Sequence, residues 1–155
     1  MTAARFVSTA LVLGALLAAR PASATFHLMQ VEQIIAGVDG STATQAIQLR
    51  MRGSGQNLVS FSRIRAWDAN GANPVLLRDM TTNVASGASG ARVLLATANF
   101  STQTNPPVTP DFILASPIPD TYLPAGSLTF EDDGGTIYWR VSWGGSRESS
   151  VSVSA

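Results

Sequence analysis

Ser127-Leu128-Thr129-Phe130-Glu131-Asp132-Asp133-Gly134-Gly135-Thr136-Ile137-Tyr138-Trp139-Arg140-Val141-Ser142-Trp143 decides the fold class. An apolar-polar alternation runs into an acidic, glycine-rich break and resumes beyond it. Period-two alternation is the mark of a strand with two different faces, and Asp and Gly supply the backbone angles of a tight reversal. The stretch therefore reads as a hairpin. Ser127–Phe130 forms one strand, 131–135 turns, and Thr136–Trp143 returns. Ile137, Trp139, Val141 and Trp143 then share one face, and Tyr138, Arg140 and Ser142 the other.

The same grammar extends upstream. Thr44–Arg52 alternates most cleanly, with Ile47, Leu49 and Met51 opposed to Gln48, Arg50 and Arg52. Phe26–Ala36 reads as a strand whose broken alternation at Ile34-Ile35 fits two-sided burial or a bulge. Val38-Asp39-Gly40-Ser41-Thr42 is a turn, and Gly53-Ser54-Gly55 ends the strand that precedes it. Leu58–Trp67 is extended and places Arg63 and Arg65 on one face with Phe61 and Trp67. Val75–Met80 is a short strand, and Val93–Ala96 is an apolar run covered on both sides. Thr82–Ala91 is a loop. The span 97–124 holds six of the eight prolines, so it cannot be central sheet, although Phe112-Ile113-Leu114 can pair briefly within it. No amphipathic helix is apparent in this part of the chain. The expected fold is all-β: a single antiparallel sandwich.

The first 24 residues follow different rules. Arg5 precedes Phe6–Ala19, an uncharged apolar run of 14 residues, and Ala22-Ser23-Ala24 offers small residues where a signal peptidase reads. A spanning helix needs roughly 20 residues. The segment is expected to be a secretory signal cleaved after Ala24. The domain would then occupy 25–145, with 146–155 a flexible polar tail, and the destination would be the periplasm, the cell envelope or the medium.

Composition narrows the chemistry. There is no cysteine, so an exported domain of this size must be held by packing and sheet hydrogen bonds. All basic residues are arginine. Beyond the signal, eight arginines face ten acidic residues and the net charge is −2 with His27 neutral. No basic tract supports nucleic-acid or anionic-membrane binding, and no stable membrane span is expected after cleavage.

Candidate sites are few. His27 is the only histidine; a lone histidine near a chain terminus reads as structural, and no Gly-x-Ser-x-Gly elbow accompanies it. Zinc sites of Cys and His are excluded by composition. Glu131, Asp132 and Asp133 are the densest carboxylates and a candidate calcium site, although a hairpin tip attracts Asp for turn geometry alone. Asp68-Ala69-Asn70-Gly71 echoes the opening of a calcium loop without its later ligands. Glu32 and Glu131 are among the carboxylates that could form a glycosidase pair, but nothing in the sequence selects them. Trp67, Trp139, Trp143 and Arg140 could bind a sugar, while the pairing of Trp139 and Trp143 with Ile137 and Val141 favours core packing. No catalytic residue and no cofactor is implied.

Phe26-His27-Leu28-Met29-Gln30-Val31-Glu32-Gln33-Ile34-Ile35-Ala36-Gly37-Val38-Asp39-Gly40, followed by Ala46-Ile47-Gln48-Leu49-Arg50, resembles the opening hairpin of bacterial secreted domains similar to the lamin tail domain. Arg92–Phe100, Pro110-Asp111-Phe112, and Leu123-Pro124-Ala125-Gly126 before the Leu128–Phe130 strand extend the resemblance. It implies an immunoglobulin-like β-sandwich used as an interaction or surface module, and it carries over no catalytic residue. Gln45-Ala46-Ile47-Gln48-Leu49 departs from the Val-Gln-Phe-Ile-Glu-Leu type of second strand, so any binding role of that carboxylate lacks its residue here. The functional expectation is a secreted, non-catalytic module that meets an extracytoplasmic protein or glycan. A carbohydrate-binding domain is the alternative, and a carboxylate-dependent hydrolase a distant one.

Overall fold

The computed structural model describes residues 26–144. The expected signal at 1–24 and the expected tail at 146–155 lie outside the described residues. Eight strands form two four-stranded sheets. In chain order they are β1 (Met29–Ile35), β2 (Ala46–Met51), β3 (Ser62–Trp67), β4 (Val75–Met80), β5 (Arg92–Ala96), β6 (Phe112–Ile113), β7 (Gly126–Asp132) and β8 (Ile137–Trp143). The first sheet has the order β1-β2-β5-β6 and the second β4-β3-β7-β8. The domain is a two-layer all-β sandwich, consistent with an immunoglobulin-like fold. Its short helical segments, Phe26–Leu28, Phe100–Gln103 and Asp120–Tyr122, are 3₁₀ turns.

Alternation builds the core. Ile47, Leu49 and Met51 on β2 are buried, as are Val93 and Leu95 on β5. They meet Ile64 and Ala66 of β3, Leu77 and Met80 of β4, and Leu128 and Phe130 of β7 in a single apolar cluster. A smaller cluster of Ala46, Ala96 and Phe100, with Leu94 and Ile35 packed against it, covers part of the first sheet's outer face. This explains the two-sided apolar character of 93–96: Val93 and Leu95 belong to the main core, while Ala96 packs with the second cluster.

Four details refine the sequence reading. β1 begins at Met29 because Phe26–Leu28 makes a 3₁₀ turn that sets the Phe26 ring edge-on to Phe130 and Tyr138, at 5.6 and 5.5 Å. Both alternatives for the broken alternation of β1 are present: a register shift between Val31 and Gln33 makes a bulge, and Ile34 and Ile35 pack against different apolar clusters. β6 joins β5 in parallel, the one exception to antiparallel pairing between strands among the described residues. The proline-rich excursion leaves β5 and returns in the same direction. Finally, β7 continues through Glu131 and Asp132, so the turn is shorter than expected. The Asp132 carboxylate accepts the Thr136 N–H at 2.8 Å and closes it.

A bulge also re-aims β8. Phe130 pairs with Trp139 but Glu131 pairs with Ile137, which makes Tyr138 the extra residue. Tyr138 therefore turns toward the core beside Trp139, and Ile137 stands opposite Glu131 on the outer face. Strict alternation had grouped Ile137 with Trp139 and Tyr138 with Arg140. One inserted residue reverses both assignments at that end of the strand.

The excursion 97–124 is pinned by a buried amide. Gln45 Nε2 donates to the carbonyls of Thr42 and Ile118, at 2.7 and 3.1 Å, and its Oε1 accepts the Ile118 N–H at 2.7 Å. The side chain thus acts as one rung of a ladder where backbone pairing has ended. Phe130 is the largest fully buried side chain among the described residues and lies in the main core. Phe130→Ala should lower unfolding free energy by about 3–5 kcal/mol, as measured by urea denaturation. A cost below about 1 kcal/mol would contradict this packing.

Candidate functional site

The outer face of the second sheet carries a polar assembly built by register. Ser127, Thr129 and Glu131 of β7 alternate with the core residues Leu128 and Phe130 and so point outward. β3 sets Trp67, Arg65 and Arg63 beside them, in that order. β8 sets Ser142, Arg140 and Ile137 on the other side. Ser127, Thr129 and Glu131 are nevertheless buried, because the long side chains of the flanking strands cover them.

Glu131 is the centre, 1% exposed. Its Oε1 meets Arg63 Nε at 2.6 Å and Arg65 Nε at 3.1 Å. Its Oε2 accepts the Thr129 hydroxyl at 3.4 Å. That hydroxyl in turn accepts Trp67 Nε1–H at 2.9 Å. Arg140 lays its guanidinium over the Trp67 ring, 5.3 Å from the centroid, and reaches the Ser127 hydroxyl at 3.5 Å. Seven residues on three strands thus form one connected network, which Arg140 closes on Ser127. A buried carboxylate is tolerable only with such compensation. Asp79 of β4 stands beside Arg63 on the same face, so three guanidiniums meet two carboxylates and one positive charge is in excess.

The loop 68–73 follows Trp67 and flanks the network. Asp68 Oδ1 accepts the N–H groups of Asn70 and Ala72, both at 2.9 Å, and Oδ2 accepts Asn73 Nδ2 at 2.7 Å. These bonds, the Ala72 N–H first and the Asn73 amide next, hold the Asp68 carboxyl below its ordinary value. The carboxylate that echoed a calcium loop is thus engaged by its own turn.

The first sheet has its own charged ridge. Glu32 accepts from Arg92 at 2.7 and 3.3 Å, from Gln48 at 2.7 Å and from Arg50 at 3.3 Å. The Arg92 contact is the chief cause of its lowered pKa. Arg52 bonds Gln30 at 2.7 Å. Unlike Arg63 and Arg65, whose side chains are 18% and 27% exposed, Arg50 and Arg92 are about half exposed, at 48% and 54%.

The sequence-nominated residues separate. Trp67 and Arg140 come together on the outer face. Trp139 and Trp143 pack, partly buried, against the main core. Trp143 donates Nε1–H to the Tyr122 carbonyl at 2.9 Å and lies over Gly126, where a Cβ would approach its ring to 3.2 Å. It also lines an apolar cleft of about 310 Å³ between the edges β1 and β8, with Val31, Ile34, Ile118, Leu123 and Val141. Glu131, Asp132 and Asp133 are not brought together. Glu131 points to the arginines, Asp132 accepts the Tyr138 hydroxyl at 2.9 Å, and Asp133 is exposed. Among the described residues no group of three or more His, Asp or Glu could hold a metal ion. Glu32 and Glu131 lie on opposite outer faces of the sandwich. Sheets stack about 10 Å apart, and the two side chains point away from each other, whereas a glycosidase pair is separated by roughly 5–9.5 Å. His27 is exposed, with its ring 6.2 Å from that of Tyr138.

Arg63, Arg65 and Thr129 were not nominated from sequence. Their signal was present in part, since Arg63, Arg65 and Trp67 alternate on one strand. What was missing was the partner strand that brings Glu131 and Thr129 alongside.

No protein-family model matches the chain, and no curated protein matches it.

Glu131→Gln should cost about 3–5 kcal/mol in urea denaturation, because it leaves two partly buried guanidiniums without their counter-charge. Loss of less than about 0.5 kcal/mol would contradict the pairing. The pH dependence follows from three depressed carboxyls. In Asp132, burial raises the pKa, but hydrogen bonds from Thr136 and Tyr138 outweigh it and the net direction is down. Asp68 and Glu32 are lowered as well. A lowered folded-state pKa gives stability that is present above the unfolded value, near 4, and lost as pH falls through the folded value. Melting temperature should hold steady from pH 7 to about 5 and fall progressively below about 4. Asp132→Asn should flatten part of that fall in scanning calorimetry.

Proposed function

We propose that the protein is a non-catalytic interaction module that works after export from the cytoplasm, and that the outer face of the second sheet is its binding surface. The observation that carries this reading is the connected network in which Arg63 and Arg65 meet Glu131, and Glu131 leads through Thr129 and Trp67 to Arg140. It fixes three cations and an aromatic ring on one open sheet face. Such a face presents an ordered surface to a large partner. Glu131, Asp68 and Asp132 are each committed to internal bonds, so the arrangement suits recognition better than proton transfer.

Export is supported by the pattern of the first 24 residues. Kinship with secreted domains similar to the lamin tail domain is part of the same reading. It rests on the residues quoted for it, which fall largely on β1, β2, β5, β6 and β7. A glycan is the ligand class favoured by Trp67 with Arg140, since an indole edge and a guanidinium suit a hydroxyl-rich ring.

The test is a glycan array probed with residues 25–155 and with two variants. Trp67→Ala and Arg140→Ala should each weaken binding roughly tenfold, equal to about 1.4 kcal/mol. Trp139→Phe, on the core side, should leave it unchanged. Undiminished binding by both outer-face variants would contradict the assigned surface.

A further inference from the structure

We propose that this face takes an acidic polysaccharide, whose carboxylate or sulfate groups seat on Arg63, Arg65 and Arg140. The proposal rests on the binding face assigned above and adds the ligand's charge and polymeric nature.

Three observations support it. First, the guanidiniums are held before any ligand arrives. Arg63 and Arg65 engage Glu131 through Nε, and Arg140 lies flat on Trp67. Pairing through Nε leaves the outer fork of each guanidinium for a second acceptor, and that fork matches carboxylate and sulfate geometry. Side chains already immobilised lose little freedom on binding. Second, the charge excess is only partly offset locally. Asp79 of β4 stands exposed beside Arg63, while Asp132 and Asp68 are taken up by Thr136 and Tyr138, and by Asn70, Ala72 and Asn73. Asp133, at the hairpin tip, is exposed to solvent. Third, the cations are spread. Arg63 and Arg65 stand about 7 Å apart along β3, and Arg65 and Arg140 flank Thr129 across two strand spacings, about 10 Å. One small anion cannot span that set, whereas a chain of repeated charges can.

The first sheet provides an internal control. It sets Arg50 and Arg92 on Glu32 and Arg52 on Gln30. There, however, Arg92 already uses both Nε and Nη2 on Glu32, and Arg50 and Arg92 are half exposed. Half-exposed arginines of this kind contribute little.

The experiment measures retention of residues 25–155 in gels containing polygalacturonate, dextran sulfate, neutral dextran or duplex DNA. Retention by polygalacturonate, dextran sulfate or both is expected at about 50 mM salt and should vanish by about 500 mM; the two arms distinguish carboxylate from sulfate. Arg140→Gln leaves the Glu131 ion pairs in place and gives up the 3.5 Å contact to the buried Ser127 hydroxyl, and its melting temperature confirms the fold. It should weaken retention about fivefold or more, while Arg92→Gln changes it less than about twofold. No retention by either acidic polymer, equal retention by DNA, or a larger effect of Arg92→Gln than of Arg140→Gln would overturn the proposal. Trp67-dependent binding of neutral glycans alone would overturn the charge assignment and leave the binding face standing. Indifference of every ligand to both Trp67→Ala and Arg140→Gln would overturn both.

Discussion

The buried carboxylate of Glu131 is the constraint on which the second sheet's outer face depends. A carboxylate almost fully withdrawn from water is costly unless charge and hydrogen bonds replace its hydration. Arg63 and Arg65 supply the charge and Thr129 a hydroxyl. This arrangement requires one register between β3 and β7, because a one-residue slip would turn Glu131 into the apolar core. The ion pairs thus tie the strand pairing to the surface it displays. The bulge at Tyr138 completes the arrangement by holding Arg140 outward while two consecutive aromatic residues turn inward.

The rest of the domain does without disulfides. Its stability rests on one large apolar cluster between the sheets and on side chains that replace missing backbone bonds. Gln45 is the clearest of these, because it binds the backbone of Ile118 across 73 positions of sequence. That bond holds the proline-rich excursion against the sandwich, where the prolines themselves cannot join a ladder. Phe26 plays a similar part at the other end of the described chain by wedging its ring against Phe130 and Tyr138.

Much of the architecture was legible in the sequence. The alternation of Ile47, Leu49 and Met51, the Asp39-Gly40 turn with both residues at positive φ, and the 127–143 hairpin all appear where the residue pattern puts them. What escaped was set by tertiary partners. Nothing local in Gly134-Gly135-Thr136-Ile137-Tyr138 reveals the bulge that moves Tyr138 inward. Glu131 looked like a turn residue because it neighbours Asp132 and Asp133, and only pairing with β3 shows it as the hub of an ion-pair network. The candidate surface was half legible for the same reason. Trp67 and Arg140 were nominated, but they were grouped with Trp139 and Trp143, which pack against the core. A sequence without a basic tract still assembles a basic face, since Arg63, Arg65 and Arg140 converge only after the sheet forms.

The central claim is that these three guanidiniums are ordered and act together as one surface. Arginine Nε–H resonances, recorded in ¹⁵N–¹H spectra while polygalacturonate is added, address it most directly. The account predicts shifts at Arg63, Arg65 and Arg140, with a coincident shift of Trp67 Nε1–H and little change at Arg50, Arg52 and Arg92. Shifts confined to the first-sheet arginines, or none at all, would contradict it.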